Sequence, residues 1–422
     1  MSKKLIVVIL SFTIYNLQFT IQGQDTLKTT VPLSYEEAKA ILLKENLTIL
    51  ASHYDINIAE AQAMQAKAWN NPYLHWNQDM YSIERDEYFN WRNQFLIQVD
   101  QTFSIAGKYT NTVKLAKVNV EINKLMMLDV MRSLLVDLGN NYNLLFALQQ
   151  KEIIYTDVLE RFKKIIAASE KQLEVGAIAG NEVTRLKSEQ IALQTEALQN
   201  VNEIAEVMGN LRVLLNMKPE INIQTVEYKP ISETTPMMSE LYSISAENRP
   251  DFKLANKNII YQERNLKLQK SMAYPDVNVG YQPKDKGSNY VRPYEGLVVE
   301  FPLALFNRNT GNIRAAENEI KKAEVEMKQQ ENMLLNEVNA SYIKLINTKN
   351  CLKNYNETFL NNMEQLNNNA NLNYNKKNIS LLEYIDLQRI YIQNKMQYNE
   401  LKNQYLNAIN LLNFSVGKEV IK

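Results

Sequence analysis

A single cysteine, Cys351, occurs in the 422 residues. One thiol excludes internal disulfides and cysteine-rich metal centres, and none lies near the start to carry a lipid, so no lipid anchor is expected. The only histidines, His53 and His75, have no ligand-like spacing to each other or to the cysteine. Glycine (11) and proline (10) are scarce, which favours long uninterrupted elements. Lysine plus arginine equals aspartate plus glutamate, 47 each, so no basic excess points to nucleic acid. Mean hydropathy is −0.36, and beyond the leader no window holds the ~18 uncharged apolar residues of a spanning helix. No phosphate-cradling glycine loop and no nucleophile–base pattern is present. The expectation is a protein with no catalytic residues, no metal and no cofactor. Met126, Met127 and Met131 read as gap-fillers on an apolar stripe, not as copper ligands.

What is present begins with a leader. Lys3 and Lys4 precede an apolar run from Leu5 to Leu10, which marks residues 1–23 as a signal peptide. An exported chain without a spanning helix is either soluble or a β-barrel.

The prolines fall at 32, 72, 219, 230, 236, 250, 275, 283, 293 and 302, leaving two long stretches with none. Both have helical periodicity: Leu134, Leu138, Tyr142, Leu145 and Leu148 step by three and four, as do Tyr398, Leu401, Tyr405, Ala408 and Leu412. Before each stretch lie alternating segments. Phe95, Ile97, Val99 and Phe103 share one parity, and Gln94, Gln98, Asp100 and Thr102 the other; Val277, Val279 and Tyr281, then Leu297, Val299 and Phe301, repeat the pattern. Such segments predict strands with one apolar and one polar face.

The two halves superpose at an offset near two hundred. Glu45-Asn46 corresponds to Glu247-Asn248, Asn71-Pro72 to Tyr274-Pro275, Ile178–Glu182 to Ile379–Glu383, and Leu214-Leu215-Asn216 to Leu411-Leu412-Asn413. The fold class expected is mainly α with a small β part, in a duplicated unit of helix, helix, β-hairpin, long helix and helix. The first repeat spans 24–218, with strands about 72–104, a long helix about 113–175 and a return helix about 182–216. A linker at 219–235 leads to the second repeat, 236–422, with strands about 274–302, a long helix about 313–375 and a return helix about 381–412. Four strands are too few to close a membrane barrel, which needs about eight, so if these strands enter the membrane several copies of the chain must share one.

The segments "LSYEEAKAILLKENLTI" (33–49), "AENRPDF" (246–252), "AYPDVNVGY" (273–281), "FPLALFNRNTGNIRAA" (301–316) and "NISLLEYIDLQRIYI" (378–392) resemble the TolC-like outer-membrane efflux proteins, in their cation and drug efflux branch. The resemblance implies a homotrimer in the outer membrane of a Gram-negative bacterium. Its twelve-stranded barrel would continue into a periplasmic helical tunnel, serving efflux or type I secretion. It further implies a periplasmic adaptor and an inner-membrane transporter as partners. The tips that would meet the adaptor map to Gly176, Ala177, Ile178 and Ala179, and to Lys377, Asn378, Ile379 and Ser380. Acidic pore-entrance positions map to Glu383 and Asp386, with Glu182 and Arg185 at the matching places of the first half, where they could pair with the ring. Gly107, Pro302 and Gly311 are expected where strands leave the bilayer and turn into helices, with Asn309 or Thr310 capping. Trp76, Trp91 and Tyr290 are candidates for an interfacial girdle or for packing. The competing reading is a soluble periplasmic coiled-coil scaffold or adaptor.

Overall fold

A computed structural model describes residues 29–83, 85–88, 95–227, 236–285 and 294–421. The leader, Trp91 and Tyr290 lie outside them. The chain begins with β1 (Thr29–Leu33) and α1 (Tyr35–Glu45). Ser34 starts α1 by accepting from the Glu37 amide, while the Glu37 carboxylate accepts from the Ser34 amide, a reciprocal cap. Asn46 ends α1 and opens α2 (Leu47–Gln65), accepting from the Thr48 and Ile49 amides. Next come β2 (Tyr73–Gln78), a small hairpin of β3 (Tyr81–Ser82) and β4 (Glu87–Tyr88), and β5 (Phe95–Phe103). The long helix α3 (Lys108–Glu174) has 67 residues, about 100 Å at 1.5 Å each. It is followed by α4 (Gly180–Leu214) and β6 (Ile221–Thr225).

The second half repeats the order: α5 (Met238–Asn248), α6 (Pro250–Ser271), β7 (Val277–Asp285), β8 (Tyr294–Glu300), α7 (Thr310–Leu352), α8 (Glu357–Asn375) and α9 (Leu381–Val416). β2, β5, β7 and β8 form one antiparallel sheet in that order, so the two hairpins lie side by side. The helices form columns in the same sequence. Asn46 donates to the Leu214 carbonyl at 2.8 Å, joining the start of α2 to the end of α4. Arg249 donates to the Ser415 carbonyl at 3.1 Å, joining α6 to α9 in the same way. α3 packs between these two stacked columns, and α7 packs along the second of them.

Three apolar clusters hold the columns. Leu42, Leu138, Tyr142, Leu211 and Ile223 fill one at the middle of the first half. Leu241, Val338, Leu345, Leu412 and Val416 fill its counterpart. Phe162, Ile166, Leu186, Ala370, Tyr384 and Ile385 fill a third near the helix tips, where both halves meet. Each fully buried side chain of this size stabilises by roughly 1.5–3 kcal/mol.

Four expectations need correction. The helix expected over 313–375 is two helices, broken at Lys353–Asn356, because Asn356 adopts an extended conformation and caps α8 by accepting from the Phe359 amide. The linker 219–235 contains a strand: β6 pairs in parallel with β1, and α3 holds it through Gln149, which donates to the Ile223 carbonyl and accepts from the Thr225 amide. The equivalent of Asn216 is Gly417 and not Asn413, since both end their helices with positive φ, 52° and 75°; the earlier pairing is one helical turn out. Gly311 does not make the second strand-to-helix turn. It lies inside the first turn of α7, and the left-handed residue there is Asn309, φ 57°, matching Gly107, φ 78°. The Asn309 side-chain amide donates to the Gln269 carbonyl at 2.8 Å and so ties α7 to α6; the side chain makes no capping bond to the backbone of α7.

Candidate functional site

The sheet is inverted relative to that of a water-soluble protein. Register places Gln98, Asp100, Thr102, Asn278, Gly280, Gln282 and Glu300 on one face. These side chains cover one another: Asp100 is 3% exposed, accepts from the Gln98 amide at 2.6 Å, and occupies the space that a side chain at Gly280 would need. Gln282 donates to Gln98 at 2.6 Å, and the Asn278 amide lies between the Asp100 and Glu300 carboxylates. The opposite face carries Leu74, Trp76, Val99, Tyr281, Leu297, Val299 and Phe301, all exposed, Leu297 by 74%. Apolar residues outward and polar residues inward suit lipid on one side and water on the other. Among the described residues β2 and β8 each pair on one side only, leaving two open edges.

At the far end of the helices lie the two tips. In the first, the Gly176 amide bonds the Leu173 carbonyl at 2.9 Å and the Ala177 amide bonds the Gln172 carbonyl at 2.8 Å. The second repeats this with Lys377 to Tyr374 and Asn378 to Asn373, both 2.9 Å, and Lys377 adopts the left-handed conformation that Gly176 has. These are helix-ending turns closed by backbone bonds. Ala179 and Ser380 occupy matching cap positions, and Ser380 Oγ accepts from the Glu383 amide at 3.2 Å. Gly176, Ala177 and Ala179 are exposed, as are Lys377 and Asn378; Ile178 and Ile379 are half-buried. The arrangement offers two short turns of near-identical shape, side by side.

Glu383 and Asp386 both project to solvent from the first two turns of α9, on the side opposite the buried Tyr384, Ile385 and Gln388. A carboxylate in a first helical turn is favoured by the helix dipole. Within one chain neither pairs with Glu182 or Arg185. Glu182 lies instead near the Tyr374 phenol, whose titration is raised by burial and further by this charge. An ion pair at this level joins the two return helices: Arg389 of α9 forks onto Glu189 of α4, Nε to Oε1 at 2.8 Å. That hydrogen bond and the Glu189 charge raise the Arg389 guanidinium further, with a contribution from Asp386. Beneath the surface Gln388 donates to Asn367 at 3.1 Å between α9 and α8, with both side chains almost wholly buried. No group of three or more His, Cys, Asp or Glu is placed to hold a metal ion among the described residues.

The family model described as outer membrane efflux protein matches this chain twice, over residues 40–216 and 241–418. The chain belongs to that family. It is an outer-membrane efflux protein and not an enzyme. A curated relative, the cobalt-zinc-cadmium resistance protein CzcC of Cupriavidus metallidurans, is 20% identical over 394 residues, which is 92% of this chain and 90% of that one. Among solved structures, the CmeC outer membrane channel of Campylobacter jejuni matches with TM-score 0.76 at 13% identity, covering 92% of this chain and 86% of that one. The outer-membrane channel OprN gives TM-score 0.75 at 15% identity, covering 91% and 89%. The open-state MtrE channel of Neisseria gonorrhoeae gives 0.71 at 12%, covering 92% and 89%. These likenesses establish the shared fold.

Against the background of the efflux family, a buried ionic cluster stands out that sequence reading did not identify. Arg249 is 1% exposed; it forks onto Asp251 at 3.0 and 2.6 Å and reaches Glu337 at 2.7 Å. Arg132 of α3 meets the same Asp251 carboxylate at 3.0 Å and lies 4.1 Å from the centre of the Phe414 ring. Burial pushes Asp251 up, but hydrogen bonds from Arg249 and the charges of Arg132 and Arg249 outweigh it, leaving the carboxyl below its ordinary range. The cluster ties α3 of the first half to α6, α7 and α9 of the second. Its signal was the Arg-Pro-Asp triplet in "AENRPDF", which carried the resemblance without disclosing its contacts.

Proposed function

We propose that three copies of this efflux protein share one twelve-stranded barrel in the outer membrane and extend it into the periplasm as a helical duct. The observation that carries this reading is the inverted sheet with two open edges. Unpaired edge amides and carbonyls in lipid cost several kcal/mol each, and the strands alternate in direction, so β8 of one copy meets β2 of the next antiparallel. The helical edges support the same join: Leu50, Tyr54 and Ile58 form an exposed apolar stripe on α2, and Val325 and Met333 are exposed on α7. The duct performs no chemistry. Its tips, at 176–179 and 377–380, dock a periplasmic adaptor that links it to an inner-membrane pump, and the pump supplies the energy.

The entrance is the ring of Glu383 and Asp386 from each copy. Carboxylates crowded in a narrow mouth favour cations over anions. The name of CzcC makes divalent cobalt, zinc and cadmium the first cargo to test, in efflux assays with and without the cognate pump. Membrane fractionation tests the duct itself. The protein is expected to stay in the outer-membrane pellet after alkaline washing and to have the mass of a trimer in native mass spectrometry; a washed-off monomer would end the proposal.

A further inference from the structure

The two strand-to-helix connections differ in length. Four residues, 104–107, join β5 to α3, whereas nine, 301–309, join β8 to α7. The longer one is apolar where water should make it polar: Phe301, Leu303 and Leu305 are exposed, and Phe306 is 100% exposed. Its shape is fixed from within. The Leu305 amide bonds the Leu303 carbonyl at 2.8 Å, Arg308 Nε donates to the Ala304 carbonyl at 3.2 Å, and the Asn309 amide donates to Asn307 Oδ1 at 3.1 Å. A loop so braced holds its apolar side chains outward and cannot easily turn them inward.

We propose that residues 303–306 insert into the phospholipid boundary of the periplasmic leaflet and fix the depth at which the barrel sits. This rests on the barrel reading above. Phe301 continues the outward parity of Leu297 and Val299, so the loop begins at the lower rim of the lipid-facing belt. A tilted membrane strand covers a band about 25 Å tall with aromatic girdles at both borders, and β5, with nine residues, is long enough to do so. The same level carries other aromatics: Trp69 packs on Phe103 at 6.4 Å and on Tyr109 at 5.8 Å between ring centres, and Tyr274 is exposed. Arg308, at the loop's end, has no carboxylate partner among the described residues and suits a phosphate headgroup. Aromatic and aliphatic side chains beside a cation are the usual composition of an interfacial anchor.

The lone native cysteine makes the test direct. Cys351→Ser is combined with Phe306→Cys, Val299→Cys or Val175→Cys in the full chain. Each is spin-labelled and reconstituted in phospholipid vesicles containing phosphatidylglycerol. Collision with oxygen, which concentrates in lipid, is compared with collision with a water-soluble nickel chelate. The oxygen-to-nickel ratio at 306 is expected several-fold above that at 175, in the mouth, and below that at 299, on the barrel wall. A ratio at 306 equal to that at 175 overturns the proposal in favour of water. An immobile label reached by neither reagent overturns it in favour of a neighbouring copy covering the loop. If 299 itself reads as water, the barrel reading falls, and the loop's role falls with it.

Discussion

Arg249 reaches the Ser415 carbonyl with one nitrogen while its other nitrogens fork onto Asp251, so a single buried guanidinium holds the start of α6 against the end of α9. In the first half the uncharged Asn46 performs the same splice at Leu214. Replacing Arg249 by Ala leaves Asp251 with Arg132 as its one cationic partner among the described residues, beside hydrogen bonds from Gln330 and the Phe252 amide. Removing one partner of a buried pair costs about 3–5 kcal/mol. Arg249→Ala is therefore expected to lower the thermal midpoint severely or to prevent recovery of folded protein, and Asn46→Ala to cost less. Equal losses from the two variants would show that the charge adds nothing to the splice.

The same cluster gives a pH dependence. Asp251 titrates below its ordinary range in the folded chain, so it contributes fully above the unfolded value, about pH 4, and that contribution disappears as pH falls through the folded value. Thermal midpoints measured between pH 7 and pH 3 should fall for the native chain. Asp251→Asn should start lower and fall less steeply. Parallel slopes would assign the acid sensitivity to other carboxylates.

The two connections also make opposite predictions about glycine. Gly107 has φ 78°, so Gly107→Ala strains the backbone by roughly 1–2 kcal/mol. Gly311 lies within α7 with open space around it, and Gly311→Ala should stabilise by about 0.5–1 kcal/mol through helix propensity. Asn309→Gly should be close to neutral in backbone terms but lose the tie to Gln269. Denaturant midpoints of the three variants would separate these outcomes, and a destabilised Gly311→Ala would restore that glycine as the turning residue.

At the mouth, Glu383→Ala combined with Asp386→Ala should reduce cation selectivity, read as a shift of reversal potential toward zero in planar bilayers under a salt gradient. Neither carboxylate forms a salt bridge or side-chain hydrogen bond among the described residues, and both are exposed, so stability should change by less than about 0.5 kcal/mol. An unchanged reversal potential would remove the ring while leaving the duct.

Much of this architecture was legible because two periodicities announce themselves. Period two in 95–103, 277–282 and 296–301 assigned each side chain to a face, and those faces are the ones observed, because a one-residue slip would invert every side chain. Proline spacing outlined the long helices but missed the interruption of the second, since an extended asparagine that caps a new helix breaks the run as well as proline can. β1 and β6 were missed because five-residue strands paired across nearly two hundred residues leave no local signature. The ionic cluster and the Glu189–Arg389 pair were not legible for a related reason. Charges on a helix have the same composition whether they face water or a partner column, and only packing decides between them.

The break at Lys353–Asn356 has its own explanation in the duplication. Tyr155 donates to Glu196 at 3.3 Å in the first half, and Tyr355 donates to Gln397 at 3.3 Å in the second. The tyrosines are 200 residues apart and their partners 201, as are the left-handed residues Gly176 and Lys377. The second half thus holds one extra residue between Tyr355 and the tip. In a continuous α-helix one extra residue rotates everything beyond it by about 100°, which would swing Ala370 out of the cluster it shares with Phe162 and Tyr384. Ending the helix at Leu352 and restarting it at Glu357 absorbs the rotation. Deleting Asn356 should therefore be tolerated, with the helix running through and the thermal midpoint shifting by only a few degrees. Deleting Lys163 from the unbroken α3, between the buried Phe162 and Ile166, offers no such release and should abolish the folded protein. If both deletions are equally destructive, the interruption is not a register correction and must be required for itself.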